Sequence, residues 1–291
     1  MYYLRLMRPQ HYIKNVLIFL PLIFSGQLFD KDLLLKTFIG AVGFCLLSSV
    51  IYIINDIKDV ENDRNHSTKR YRPIANGHIS TRKAVVFVGV LLAIAVALII
   101  IAKISMVGWG IFIIYFLINI GYSVLGLKNI ALVDITILVL GFLLRVVFGS
   151  VLSGIVISNW LYLTVIAASF YLALGKRRNE ISAEDDKGNG TRKVLKSYSR
   201  EFLDKNMYVC FGEMVVFYSL WSVDKTTMLN HANAGKAIWT VPLVILIMMR
   251  YSMDVEGDSD GDPTNVILKD KLLMGLIFLY AVAIVFVVYG K

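Results

Sequence analysis

Apolar runs too long and too uniformly apolar to line one face of a soluble helix constrain this chain more than any other feature. VLIFLPLIFSGQLF (16–29), FIGAVGFCLLSSVIYII (38–54) and VVFVGVLLAIAVALIIIA (85–102) are examples. About twenty apolar residues span a bilayer core as an α-helix, and a helix satisfies its own backbone groups in lipid. Amphipathic helices packed around a soluble core would show polar stripes, and these runs show none. Hydrophobic residues make up 57% of the 291, above the usual share for a soluble domain. The pattern predicts an all-α, polytopic membrane bundle of about nine transmembrane helices, near 14–30, 36–55, 83–102, 106–124, 131–151, 158–175, 206–223, 237–253 and 271–289. No linker or composition break divides 1–291, so a single transmembrane catalytic domain is expected. The first run lacks a signal-peptidase-like site and reads as a retained span. Cys45 and Cys210 both sit in apolar runs, which leaves no disulfide framework or cysteine metal site.

Basic residues set the orientation. With the N-terminus in the cytoplasm, 23 of the 30 Lys and Arg residues fall on the cytoplasmic side. Most lie in two connections, 56–82 and 176–205, which also hold many of the acids. The positive charge therefore reads as topology control and phosphate binding, and no nucleic-acid partner is expected.

The first connection carries the chemistry. Asn55, Asp56, Asp59 and Asp63 form NDxxDxxxD. At helical spacing the three aspartates fall at i, i+3 and i+7, on one face. Like charges so placed repel, and a bound cation removes that cost. Oxygen-only donors favour magnesium, which completes its shell with water and substrate phosphate. The plainer alternative is a solvated helix end paired with Lys58 and Arg64. Downstream, Lys69, Arg70 and Arg72 are placed to grip phosphate oxygens, or to anchor on anionic lipid. His66 and His78 read as loop residues without zinc spacing.

The second connection opens with YLALGKRRNEISAEDD. Lys176, Arg177 and Glu180 sit where the sixth span leaves the membrane, either as a phosphate-binding cluster or as a helix-end ion pair. Arg178 falls on another helical face and is expected to matter less. Arg8 and Lys14, with Asn15, mark the N-terminal approach to the membrane. Asp134 and Arg145 lie within the fifth span, where charges are costly and face a cavity or a partner. Asp258, Asp260 and Asp262 read as a solvated acidic loop, lacking the final Glu of a calcium loop.

These features together resemble the UbiA superfamily of membrane prenyltransferases. The resemblance rests on Asn55–Asp63, the nine-span layout and the polar cluster after the sixth span. Within it the chain is most similar to a branch that transfers phosphoribosyl groups to polyprenyl phosphate. The matching stretches are RPQHYIKN at 8–15, YIINDIKDVENDRNHSTKRYRPIA at 52–75, YSVLGLK at 122–128, VDITILVLGFLLR at 133–145, GKRRNE at 175–180, and RYSMDVEG with a later Asp270. Aromatic-prenylating members carry a second DxxxD after span 6. Here that place holds Lys176, Arg177 and Glu180, although Glu180 and Glu184 imitate its spacing. The resemblance implies magnesium on Asn55, Asp56, Asp59 and Asp63, with Lys176 and Arg177 also acting in catalysis. It implies substrate contacts from Arg8, Lys14, Asn15, Tyr52, Asn55, Lys69, Arg70, Arg72, Lys128, Asp134, Arg145 and Glu180. The expected partners are phosphoribosyl diphosphate, a polyprenyl phosphate and the bilayer, with homo-oligomerisation left open. The expected place is a bacterial plasma membrane, with the active site cytoplasmic and a role in wall synthesis. Two other readings stand beside it. One is an aromatic or quinone-precursor polyprenyltransferase. The other is an anionic-lipid transporter, which would leave the acidic motif unexplained.

Overall fold

Every regular element among the described residues is helical. The computed structural model describes residues 1–65, 68–185, 193–224, 234–257 and 262–290. His66, Asp258 and Asp260 fall outside these. In chain order the α-helices are α1 (Tyr2–Met7), α2 (Leu20–Phe24), α3 (Lys31–Lys58), α4 (Val60–Arg64), α5 (Thr81–Ile101), α6 (Met106–Val124), α7 (Val133–Ser153), α8 (Asn159–Asp185), α9 (Arg200–Val223), α10 (Val241–Glu256), α11 (Pro263–Lys269) and α12 (Lys271–Tyr289). Short polar residues start several of them. Asp30 caps α3 by accepting from the amides of Asp32 and Leu33, and Ser80, Ser105 and Ser199 cap α5, α6 and α9 in the same way.

Six helices among the described residues are long and apolar enough to cross a membrane: α3, α5, α6, α7, the stretch Gly235–Glu256 that ends in α10, and α12. The expected spans 158–175 and 206–223 lie in the long helices α8 and α9, which are not in that set. The expected span 14–30 is not one α-helix. Pro9–Phe19 forms 3-10 turns, α2 covers only Leu20–Phe24, and Gly26 turns the chain at φ 77°. Pro21 has no amide hydrogen to bond back into a preceding α-turn, but fits the first turn of a new helix.

The chain forms two compact units. The first holds residues 1–20, 30–127 and 144–154. Its core gathers Phe44, Phe112, Tyr115 and Phe148 with Ile18, Ile99 and Leu152. Helices in lipid associate through close packing of small residues. Gly40 lies directly against the Leu152 side chain, and Gly43 against Ile99 and the Ala95 carbonyl. The second unit holds residues 21–29, 128–143 and 155–291. There α8 and α9 pack along each other around Tyr171, Leu174, Leu203, Met207 and Met214, with Tyr251 and Val255 of α10 beside them. The residues of α7 up to Leu143 belong to the second unit and those from Leu144 to the first.

Candidate active site

In the first unit, α3 runs for 28 residues and is about 42 Å long. That length carries its last turn past a hydrocarbon core of about 30 Å. Asn55 and Asp56 sit in this last turn. Asp59 occupies the break between α3 and α4 at φ −94° and ψ 10°. The helix is interrupted there, yet Asp59 N bonds Asn55 O at 2.9 Å and Asp63 N bonds Asp59 O at 2.8 Å. The helical spacing therefore survives the break.

Asp56 and Asp63 are both buried, at 2% and 3% exposure, and they meet at one guanidinium. Arg72 Nη1 donates to Asp56 Oδ1 at 3.1 Å and to Asp63 Oδ2 at 2.7 Å. Arg8 donates to the same Asp56 oxygen and lies over the Tyr52 ring, 5.2 Å from its centre. Buried carboxylates require such charge-assisted partners. One cationic centre is thus already shared by two carboxylates of the motif. A hard divalent cation suits this all-oxygen donor set of Asn55, Asp56, Asp59 and Asp63. Among the described residues no three His, Cys, Asp or Glu side chains converge as a ready-made cage. Lys69 is half-buried on the 3-10 turn Lys69–Tyr71, while Arg70 is exposed and donates to Tyr71 Oη at 2.8 Å.

Deeper in this unit, Arg145 and Asn15 form a buried network. Arg145 Nε donates to Asn15 Oδ1 at 2.6 Å, and Arg145 Nη2 donates to Tyr115 Oη at 2.7 Å. Asn15 Nδ2 donates to Cys45 Sγ at 3.0 Å. Lys14, beside Asn15, is half-buried.

The second unit assembles another cluster. Arg177 is fully buried, with Nε 2.5 Å from Asp134 Oδ2 and Nη1 2.5 Å from Glu180 Oε2. Tyr198 donates to Asp134 Oδ1 at 2.5 Å and accepts from Leu132 N at 2.6 Å. Burial first, and then the hydrogen bond to Asp134, push the Tyr198 hydroxyl up to about 12. It therefore stays a donor throughout the physiological range. Leu132 is held at φ 64°, a left-handed conformation that costs a branched residue roughly 1–2 kcal/mol. The Tyr198 oxygen is the acceptor that holds its amide there. Lys176 remains partly open, its Nζ 3.9 Å from Asp262 Oδ2. Lys128 is half-buried on the 3-10 turn Leu127–Asn129.

Three expectations change here. Arg177 is consumed by Asp134 and Glu180, so removing it disturbs packing as well as any ligand contact. Arg178, expected to matter less, is buried and donates to Asp204 Oδ1 at 2.6 Å and to the Val255 carbonyl at 3.1 Å, so its loss also disturbs packing. Asp262 is not simply solvated, because it caps α11 by accepting from Thr264 N at 3.0 Å and faces Lys176. Nothing in the sequence marks Tyr115 or Tyr198, since an aromatic in an apolar run or basic loop carries no signal of its hydroxyl's task. Arg250 and Asp270 pair, and that hydrogen bond holds the Asp270 carboxyl down at about 2.

Residues 16–252 match the UbiA prenyltransferase family. The chain is 33% identical over 288 residues to the decaprenyl-phosphate phosphoribosyltransferase of Corynebacterium glutamicum, covering 98% of this chain and 86% of the relative. It is 36% identical over 281 residues to the protein of the same name from Mycolicibacterium smegmatis, covering 93% and 87%. Among solved structures it resembles a UbiA homolog from Archaeoglobus fulgidus bound to GPP and Mg2+, with TM-score 0.71, 18% identity and coverage of 98% and 99%. It also resembles a digeranylgeranylglyceryl phosphate synthase, with TM-score 0.64, 18% identity and coverage of 99% and 98%. At that identity the solved structures speak to the fold alone.

Proposed function

The chain belongs to the UbiA prenyltransferase family, and from that premise we propose that it transfers the 5-phosphoribosyl group of phosphoribosyl diphosphate to a polyprenyl phosphate of the decaprenyl type. One activity is assigned to residues 1–291 as a whole. The observation that carries the proposal is the pair Asp56 and Asp63 sharing one cationic centre, with Arg8 and Arg72 beside them. Carboxylates for a metal and guanidinium groups for phosphate oxygens are what a metal-bound diphosphate requires. Similarity to phosphoribosyltransferase relatives over nearly the whole chain supports this donor over a prenyl diphosphate.

Asn55, Asp56, Asp59 and Asp63 hold magnesium, which when bound supplies charge neutralisation for the diphosphate leaving group. Arg8, Lys14, Lys69, Arg70 and Arg72 orient that diphosphate through charge-assisted hydrogen bonds, and Tyr52 backs Arg8 through its ring face. The bond from the anomeric carbon to the diphosphate oxygen breaks and the electron pair leaves with diphosphate. An oxygen of the lipid phosphate forms the new bond on the opposite face, with inversion. A phosphate monoester is already largely dianionic near pH 7, so no general base is needed to activate it. In the second unit Lys176 binds a substrate phosphate, together with Lys128. Arg177, fixed by Asp134, orients Glu180 toward a hydroxyl or an ammonium group.

A ribose-labelled donor tests this reading. Label should enter the lipid phase only with polyprenyl phosphate and magnesium present. Transfer to an aromatic acceptor from a prenyl diphosphate instead would overturn it. Lys176→Ala removes one charge-assisted contact worth about 1.5–3 kcal/mol. A roughly 10- to 100-fold loss of kcat/KM is expected, with unchanged thermal stability, from steady-state kinetics beside a melting curve.

The same proposal includes a bacterial plasma membrane location with the N-terminus and acidic motif cytoplasmic, an orientation that the basic-residue asymmetry supports. Cysteines introduced at Asn65 and Ser105 check this. Asn65 should react with an impermeant reagent only from the cytoplasmic side, and Ser105 only from the outer side. The reverse pattern would invert the topology.

A further inference from the structure

Arg8 stands in a conformation that its own sequence disfavours. It has φ 56° and ψ 59°, the left-handed region, which is uncommon for non-glycine residues. It also precedes Pro9, and a residue before proline is pushed toward extended backbone. Such outliers persist only where surrounding structure over-determines them. The first unit supplies that structure along the segment 7–19. Ser49 Oγ donates to the Met7 carbonyl at 2.9 Å, and Tyr12 Oη pairs with Ser49 Oγ at 2.7 Å. One turn further, Asn15 is gripped by Arg145 and Cys45. At the far end, Gly149 of α7 presses on the segment's backbone. A Cβ there would lie 1.9 Å from the Ile18 carbonyl oxygen and 2.7 Å from its carbon. Only glycine permits this approach.

We propose that residues 7–19 form a docked strap whose register fixes Arg8 on Asp56, and that Gly149, Asn15 and Arg145 are positioning residues acting through Arg8. This rests on the reading of the acidic cluster given above, and it assigns Asn15 and Arg145 to the strap in place of direct substrate contact. The strap is held at three levels spaced along it, so a shift at Ile18 is carried to Arg8. The 3-10 backbone between them has no flexible linker in which to absorb it. Arg145, in turn, is held by the Tyr115 hydroxyl, and its charge lies 5.6 Å from the centre of the Phe44 ring.

The test joins kinetics to amide exchange. Gly149→Ala and Asn15→Leu are made alone and in combination with Arg8→Ala. Tyr115→Phe serves as the mildest variant should the first fail to fold. Turnover is expressed per folded molecule, and deuterium uptake is read over residues 2–19. Each strap variant should speed exchange across 2–19 and lower kcat/KM by roughly 10- to 100-fold, the loss of one charge-assisted contact. Combined with Arg8→Ala, each should cost no more than about twofold beyond Arg8→Ala alone, because residues acting through one group are not additive. A general packing defect would instead multiply with Arg8→Ala, and that result would overturn the proposal. Faster exchange confined to 15–19 would also overturn it. If the wild type transferred no phosphoribosyl group, the functional reading would fall. The strap would then be decided by whether Gly149→Ala loosens residues 2–8.

Discussion

Asp56→Asn is expected to lower magnesium-dependent turnover by about 100- to 1000-fold, the usual cost of removing one preorganised electrostatic group. The substitution keeps size and keeps an oxygen for Arg8 and Arg72 to donate to. What it removes is the charge. In the native cluster two buried carboxylates face two guanidinium groups. With Asp56 neutral, Asp59 and Asp63 remain to attract a cation, and two arginines repel it. Arg8 and Arg72 stay partly hydrated at 17% and 24% exposure, so their loss of a counter-charge should cost little stability. A magnesium titration of turnover, with thermal unfolding alongside, checks both halves. Turnover within threefold of wild type would remove Asp56 from the account. Asp63→Asn should act in the same direction.

Arg177→Ala is expected to destabilise the protein by about 3–5 kcal/mol, because it strands a buried carboxylate without its counter-charge. Asp134 and Arg177 are both at 0% exposure, so water cannot substitute. Only the Tyr198 hydroxyl would remain of the partners named for Asp134. The loss should therefore appear first in the melting temperature and then in turnover. The double variant Arg177→Met with Asp134→Leu separates the two effects. Replacing both partners of a buried pair by apolar groups is often neutral, so stability should return. Turnover should not return, because Glu180 has lost the group that orients it. A double variant restored in both respects would make the pair structural only.

The single-site chemistry was legible because it is written locally. Asp56 and Asp63 are seven residues apart, and helical periodicity alone brings them to one face, where Arg72 nine residues on can reach both. The pairs that complete the clusters were not legible. Arg8 to Asp56 spans 48 residues, Tyr198 to Asp134 spans 64 and Arg145 to Asn15 spans 130. Each partner except Tyr198 carried a signal of its own as a charge or amide near or within an apolar run. Nothing in the chain says which meets which until the helices pack. The 14–30 segment shows the converse. Its hydropathy resembles that of a span, but hydropathy does not distinguish 3-10 turns from an α-helix, and Pro21 and Gly26 are the local marks of the break. Gly149 was invisible for a similar reason, since a close backbone approach leaves no trace in composition.

What is transferred, and to what, is measured directly by the mass of the lipid product. Purified protein in lipid nanodiscs is incubated with phosphoribosyl diphosphate and a polyprenyl phosphate, with magnesium or with EDTA. The expected product is the polyprenyl phosphate plus one phosphoribosyl group, formed with release of diphosphate, present with magnesium and absent with EDTA and in Asp56→Asn. An unmodified lipid phosphate under these conditions, with a prenylated aromatic formed when prenyl diphosphate and an aromatic acceptor are supplied, would contradict the account.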